Sequence, residues 1–114
     1  KDMTPGCTTQ ACDFRDQHKK FKNTVILGVS IDSAERHQKF VEKYDLPFTL
    51  IADTDKKVVL KYGIWQEKKL YGKTYMGIVR TTFIIDKTGT IRKIFPKVKV
   101  KTHIEEVLSA LKEI

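Results

Sequence analysis

The two cysteines of the chain, Cys7 and Cys12, carry the chemistry that the sequence shows most clearly. Only the thiolate form of cysteine attacks an electrophile, and a free thiol is mostly protonated near neutral pH. Thr4 and Pro5 predict a helix that begins just before Cys7, because threonine is a good N-cap and proline suits the first helical position. A helix N-terminus favours negative charge, so we interpret Cys7 as an activated thiolate.

The spacing of the cysteines restricts how they could form a disulfide. Five residues on a continuous helix rise ~7.5 Å, which takes the Cα atoms beyond the ~7 Å that a disulfide permits. A bond between Cys7 and Cys12 therefore requires local unwinding, which suits a switchable disulfide better than a structural one. From spacing alone, two passive buried thiols remain an alternative. A zinc site is not expected, since two thiols with no nearby Cys or His pair cannot supply four ligands.

The segment K-D-M-T-P-G-C-T-T-Q-A-C-D-F-R-D, residues 1–16, resembles the active-site segment of peroxiredoxins. More narrowly, it is similar to the bacterioferritin-comigratory-protein, or peroxiredoxin Q, branch of that family. The resemblance covers nearly the whole chain and continues through residues 28–30, 43–48, 71–86 and 97–101. In the family motif P-x-x-x-T-x-x-C, the threonine falls at Thr4 and the cysteine at Cys7, whereas the proline would fall just before Lys1. We therefore expect that proline, and the family's first strands, to lie outside this sequence.

The resemblance implies a role for each matching residue. Cys7 is the peroxidatic cysteine, whose thiolate attacks hydrogen peroxide or an organic hydroperoxide and becomes a sulfenic acid. Thr4 and Arg80 bind the thiolate and the peroxide, and the backbone N–H groups of Gly6 and Cys7 are further donors. Arg80 also stabilises the charge that develops on the leaving oxygen. Arg15 is a rival for this role because it is close to Cys7 in sequence.

By the same resemblance, Cys12 is the resolving cysteine, which condenses with the sulfenic acid to form a Cys7–Cys12 disulfide. An external dithiol, thioredoxin by expectation, would then reduce that disulfide. No metal, haem or flavin cofactor is implied. We expect the protein to be a monomer or alternatively a dimer, in the reducing environment of the cytoplasm. Two other functions stay open: a thioredoxin-like disulfide oxidoreductase, and a non-enzymatic basic binding module with passive thiols.

The composition indicates a globular chain of one domain, residues 1–114, with 40% hydrophobic and 32% charged residues. No apolar run approaches the ~18 residues of a membrane span, so we predict no membrane segment. The 22 basic and 14 acidic residues give a net charge of +8. Because the lysines are spread along the chain, we interpret them as a solvated surface and expect no nucleic-acid partner.

The hydrophobic pattern predicts the order α-β-α-β-α-β-β-α. The predicted elements are a helix at 5–21, a strand at 25–30, a helix between Asp32 or Ser33 and Leu46, a strand at 48–52, a helix at 56–62, strands at 80–85 and 90–95, and a last helix. Residues 63–79 are interpreted as a long irregular loop. Thr102 and Glu105 form a capping box for the last helix, whose apolar face is Ile104, Val107, Leu108, Leu111 and Ile114.

This order predicts an α/β fold with a mixed sheet flanked by helices, which the resemblance implies is thioredoxin-like. Crossover helices between apolar strands favour parallel pairing, and the closing hairpin adds an antiparallel edge. The strand at 25–30 is expected to be covered on both faces. A strand that the sequence lacks would lie between the strands at 25–30 and 80–85. We therefore expect the sequence to be part of a longer protein, or to be completed by another chain.

Overall fold

The computed structural model of the protein describes residues 2–21 and 23–113. Its elements are α1 (Pro5–Asp16), β1 (Leu27–Ser30), α2 (Ala34–Tyr44), β2 (Thr49–Ala52), α3 (Lys57–Lys61), β3 (Trp65–Leu70), β4 (Lys73–Ile78), β5 (Thr82–Ile85), β6 (Ile91–Phe95) and α4 (Val100–Lys112). The first helix ends sooner than predicted. A single 3₁₀ turn at His18–Lys20 follows it, so residues 5–21 are not one continuous helix.

The strands of the described residues pair in three separate two-stranded sheets. β1 and β2 are parallel, because α2 carries the chain back between them, while β5 and β6 form an antiparallel hairpin. The predicted mixture of parallel and antiparallel pairs is therefore present. β1 and β5 share no ladder, and the gap between them is where the sequence analysis expected a strand that this sequence lacks.

Residues 63–79 form a β-hairpin, so the prediction of an irregular loop is wrong. β3 and β4 pair antiparallel along their whole length. Tyr71 and Gly72 form the two-residue turn, with φ values of 51° and 77°. Positive φ at both central residues is the signature of a type I′ turn, which matches the twist of the flanking strands. A tyrosine in the first of these positions gave no turn signal in the sequence.

The hydrophobic core lies where β5 and α4 meet the segment after α1. Phe21, Ile84 and Val107 are buried there. Partly buried side chains pack around them, namely Phe14, Ile26, Phe95, Ile104, Leu108, Ala110 and Leu111. The apolar face predicted for the last helix is thus confirmed for four of its five residues. The fifth, Ile114, lies outside the described residues.

The strand β1 is not covered on both faces, contrary to the prediction. Leu27 is 56% exposed and Val29 is 40% exposed, whereas Ser30 at the end of the strand is buried. The apolar run was typical of a strand between two helical layers. Within the described residues, the side that carries Leu27 and Val29 is only partly covered.

Two helix N-termini show which capping predictions were right. Ser33, one of the two candidates for α2, accepts a hydrogen bond from the Arg36 backbone N–H at 3.2 Å. The capping box predicted for the last helix is wrong, because α4 already begins at Val100. Thr102 therefore lies inside the helix, where its hydroxyl donates to Glu106 Oε1 at 2.9 Å. No helix of residues 2–21 or 23–113 is both long and apolar enough to cross a membrane.

Candidate active site

Cys7 lies half-buried in the first turn of α1, as the sequence predicted. Thr4 occupies the N-cap position with extended backbone angles, and Pro5 is the first helical residue. The first backbone bond of the helix runs from the Thr8 N–H to the Thr4 carbonyl at 2.9 Å. The Thr4 hydroxyl does not cap the backbone; it hydrogen-bonds the Cys7 thiol instead. The N-cap residue is therefore directed at the sulfur.

Arg80 reaches the same sulfur from just before β5. Its Nη1 donates to Cys7 Sγ at 3.3 Å, and its Nη2 donates to Gln10 Oε1 at 2.7 Å. Cys7 and Arg80 are 73 residues apart in sequence. One planar guanidinium thus contacts both the Cys7 thiol and the Gln10 side chain of the same helix. The second contact fixes the orientation of the guanidinium, so its positive charge faces the sulfur from one direction.

Gly6 provides the space for this contact. A β-carbon at position 6 would lie 3.3 Å from Arg80 Nη1, which is tighter than an ordinary van der Waals contact. Any side chain there would push against the guanidinium. The group that approaches the backbone at Gly6 is therefore Arg80.

The pKa of the Cys7 thiol is lowered from its usual value. Burial acts in the opposite direction, because it penalises the charged thiolate. The hydrogen bond from the Thr4 hydroxyl and the positive charge of Arg80 both act against that penalty and favour the thiolate. Cys7 is therefore in the thiolate form over a wider pH range than a free cysteine, which makes it a stronger candidate nucleophile.

Gln10 is a residue of this site that the sequence reasoning missed. It lies three positions after Cys7, a spacing that puts both side chains on one face of a helix. That spacing was the available signal. The uncharged side chain of Gln10 gives no sign in the sequence that it accepts a hydrogen bond from Arg80.

Arg15, the rival candidate, binds elsewhere. Its Nη1 donates to the Tyr44 carbonyl oxygen at 2.7 Å, and its Nε pairs with Asp16 at 2.9 Å. Arg15 thus ties the far end of α1 to the end of α2. Of the two arginines, Arg80 is the one in contact with the Cys7 sulfur.

Cys12 is half-buried on the same continuous helix as Cys7, and the two cysteines do not form a disulfide. Because α1 is regular between the two residues, helix geometry separates their Cα atoms beyond disulfide range. The structure is thus that of a reduced site. Within residues 2–21 and 23–113, no cluster of three or more His, Cys, Asp or Glu side chains could hold a metal ion.

Several known proteins are similar to this chain in sequence and in fold. Residues 1–94 match the model of the AhpC/TSA family. Peroxiredoxin Bcp of Bacillus subtilis is 55% identical over 99% of this chain and 73% of its own length. A putative peroxiredoxin bcp of Coxiella burnetii is 50% identical over 97% of this chain and 75% of its own. A solved structure of the Xanthomonas campestris bacterioferritin comigratory protein, reported for its alkyl peroxide reduction activity, superimposes with a TM-score of 0.93 at 39% identity, covering 99% of this chain and 73% of that one.

The chain therefore belongs to the AhpC/TSA family. Within it, the chain groups with the peroxiredoxins of the bacterioferritin-comigratory, or peroxiredoxin Q, type. The thioredoxin-like α/β fold and the thiol-dependent peroxidase function predicted from the sequence are confirmed.

Proposed function

We propose that Cys7 is the peroxidatic cysteine of this thiol-dependent peroxidase and that Thr4, Gly6 and Arg80 assemble the peroxide around it. The observation that carries this proposal is the 3.3 Å contact from Arg80 Nη1 to Cys7 Sγ at the N-terminus of α1. A thiol with a lowered pKa, a helix N-terminus and a charged donor is the environment that activates cysteine.

In the proposed reaction, the Cys7 thiolate attacks one oxygen of the peroxide. An S–O bond forms as the O–O bond breaks, which leaves a sulfenic acid on Cys7 and a hydroxide or alkoxide as the leaving group. The leaving group takes a proton from solvent and is released as water from hydrogen peroxide or as an alcohol from an organic hydroperoxide. Negative charge moves from the sulfur to the leaving oxygen during the attack. Arg80 and the Thr4 hydroxyl already point at the sulfur, so they can follow that charge without reorganising.

Gly6 supports the same step in two ways. Its backbone N–H belongs to the first turn of α1, where a helix offers its own amides no carbonyl partner. This N–H is therefore a donor suited to a peroxide oxygen. The missing side chain also allows the Arg80 guanidinium to lie against the backbone.

The second half of the cycle is assigned to Cys12. Its thiol condenses with the Cys7 sulfenic acid, and water leaves as the disulfide forms. This step requires α1 to unwind between the two residues, because the intact helix holds them apart. A thiol reductant of the thioredoxin kind would return both cysteines to the reduced form, which suits a reducing compartment such as the cytoplasm.

Two serine variants test this assignment in an assay that couples thioredoxin and its reductase to peroxide consumption. Cys7→Ser removes the nucleophile, so we expect peroxide consumption to stop. Cys12→Ser keeps the nucleophile, so one equivalent of peroxide should be consumed and a sulfenic acid formed, while thioredoxin-supported turnover is lost. Continued turnover in Cys7→Ser would overturn the nucleophile assignment, and full turnover in Cys12→Ser would overturn the resolving role.

A further inference from the structure

A second buried polar cluster lies directly upstream of the candidate active site. It consists of Asp2, Ser30, Asp32 and His37, all of which are buried. The cluster joins the segment before α1 to the end of β1 and to α2. None of these four residues has a part in the proposed peroxide chemistry, although buried ionisable groups are costly to retain without a role or a partner.

Asp2 is held at three points. Its backbone N–H donates to Asp32 Oδ2 at 2.8 Å, and its carbonyl oxygen accepts from Arg36 Nη2 at 3.2 Å. Its carboxylate accepts a hydrogen bond from His37 Nδ1. The backbone and the side chain of Asp2 are thus both fixed to the β1–α2 region.

His37 is the centre of the cluster, and both of its ring nitrogens face acceptors. Nδ1 faces the Asp2 carboxylate and Nε2 lies 3.0 Å from the Ile51 carbonyl oxygen of β2. The charged groups around this ring are Asp2, Asp32 and Arg36. Removing one member of such a buried pair leaves the other uncompensated, so the contact strongly favours one position of Asp2.

The cluster is close to the reacting groups along the chain. Only Met3 separates Asp2 from Thr4, and its φ of 65° places it in the left-handed region that few non-glycine residues adopt. None of the twelve residues of α1 is buried. Phe14 packs against the core, but it lies about two turns after Cys7 and does not by itself set the position of the first turn. The fixed groups on either side, Asp2 and Arg80, must do so.

We propose that the Asp2–His37 pair positions the first turn of α1, so that the Thr4 hydroxyl and the Cys7 sulfur stay aligned with Arg80. Asp2 and His37 are positioning residues, since neither touches the sulfur or the peroxide. This inference rests on the proposed function of Cys7. It adds Asp2 and His37 as two positioning residues of the site, in addition to the proposed roles of Thr4, Cys7 and Arg80.

The test compares four variants of the whole protein. Asp2→Ala and His37→Gln break the pair, because the glutamine amide can replace only the Nε2 contact with Ile51. His37→Asn places an amide nitrogen near the position of Nδ1 and keeps a donor to Asp2. Asp53→Ala is the matched control, since Asp53 and Asp2 are both 4% exposed and Asp53 binds the Val58 and Val59 amides of α3. If Asp2→Ala does not fold, Asp2→Asn replaces it, since it keeps the backbone bonds and weakens the ion pair.

Two readouts are measured for each variant: the pH midpoint of Cys7 alkylation by iodoacetamide, and the rate of Cys7 oxidation by hydrogen peroxide. Breaking the pair should slow oxidation by about tenfold or more, since small misplacements of reacting groups are costly, and should move the alkylation midpoint to higher pH. His37→Asn should recover most of both properties, and Asp53→Ala should alter neither.

The proposal is overturned if folded Asp2→Ala and His37→Gln keep the wild-type rate and midpoint, or if Asp53→Ala changes both to the same extent. The alkylation midpoint does not depend on peroxide. If wild-type Cys7 were not oxidised by peroxide, the proposed function would fail, while the alkylation midpoints would still decide whether the pair positions Cys7.

Discussion

At the scale of single residues, the site depends on one guanidinium with two acceptors. Arg80 donates to the Cys7 sulfur and to the Gln10 amide oxygen, and Gly6 leaves the room for it to do so. The contact with Gln10 keeps the guanidinium plane from rotating, so the charge near the sulfur stays directed. Electrostatic stabilisation of this preorganised kind is commonly the largest contribution to catalysis.

Replacing Arg80 by alanine should raise the pKa of Cys7 and slow its oxidation. The arginine charge favours the thiolate, so without it the thiol deprotonates only at higher pH. We expect the peroxide oxidation rate at neutral pH to fall by roughly 10²-fold, as for the loss of one preorganised donor. The pH profile of Cys7 alkylation measures the first effect, and stopped-flow oxidation measures the second.

Arg92→Ala is the control for this experiment. Arg92 pairs with Asp86 at 3.5 Å on the β5–β6 hairpin, so its removal takes away an arginine without touching Cys7. The profile and the oxidation rate of Arg92→Ala should match the wild type. An unchanged Cys7 profile in Arg80→Ala would show that the helix terminus and Thr4 activate the thiol without the arginine.

The sequence predicted the proposed reacting residues better than it predicted the residues that hold them in position. Cys7 and Arg80 carry groups with an obvious chemistry, and their contact agrees with the prediction. Gln10 and the Asp2–His37 pair were missed, because an amide and an ion pair between residues 35 positions apart have no local signature. Their importance depends on which distant side chain they meet, and only the fold determines that.

At the scale of elements, α1 is a helix held at its ends. Its N-terminal turn is fixed by Asp2 and Arg80, and its other end by Arg15 on the Tyr44 carbonyl. No residue of α1 is fully buried, and Phe14, which packs against the core, lies beyond Cys12, so unwinding the helix between Cys7 and Cys12 exposes little apolar surface. This property suits the proposed resolving step, because Cys12 can reach Cys7 only if the helix opens between them.

Residues near the N-termini of α2 and α4 allow a direct test of helix stability. Ser33→Ala removes a side-chain acceptor from the N-terminus of α2, so we expect the free energy of unfolding to fall by about 1 kcal/mol. Thr102→Ala changes a residue inside α4 that is exposed and does not cap the helix, so its effect should stay below about 0.5 kcal/mol. Urea unfolding of both variants measures the difference. A larger loss in Thr102→Ala would mean that the helix begins where the sequence first indicated.

The elements themselves were predicted unevenly. Helices α2 and α4 have strong apolar faces, and their existence was predicted correctly. The β3–β4 hairpin was missed because its strands are mostly polar and exposed and its turn begins with Tyr71. The start of α4 was misplaced because Thr102 and Glu105 have the spacing of a capping box inside a helix that had already begun.

At the scale of the whole molecule, the fold brings together groups that are remote in sequence. Cys7 comes from the start of the chain and Arg80 from the approach to β5, and their contact depends on the packing of α1 near α4 and β5. The pairing of β1 with β2 followed from the sequence, and so did the order of the elements apart from the β3–β4 hairpin. The break between the sheets also agrees with the sequence analysis, which expected a strand between β1 and β5 that this sequence lacks.

The most direct test of the account is the order in which the two cysteines are oxidised in one molecule. The reduced wild-type protein is treated with less than one equivalent of hydrogen peroxide in the presence of dimedone, and each cysteine is then analysed by mass spectrometry. Because only Cys7 has the Thr4 and Arg80 contacts, the sulfenic acid adduct should form on Cys7, with Cys12 appearing only in the Cys7–Cys12 disulfide. A dimedone adduct that forms first on Cys12, or equally on both cysteines, would contradict the central claim that Cys7 is the activated nucleophile.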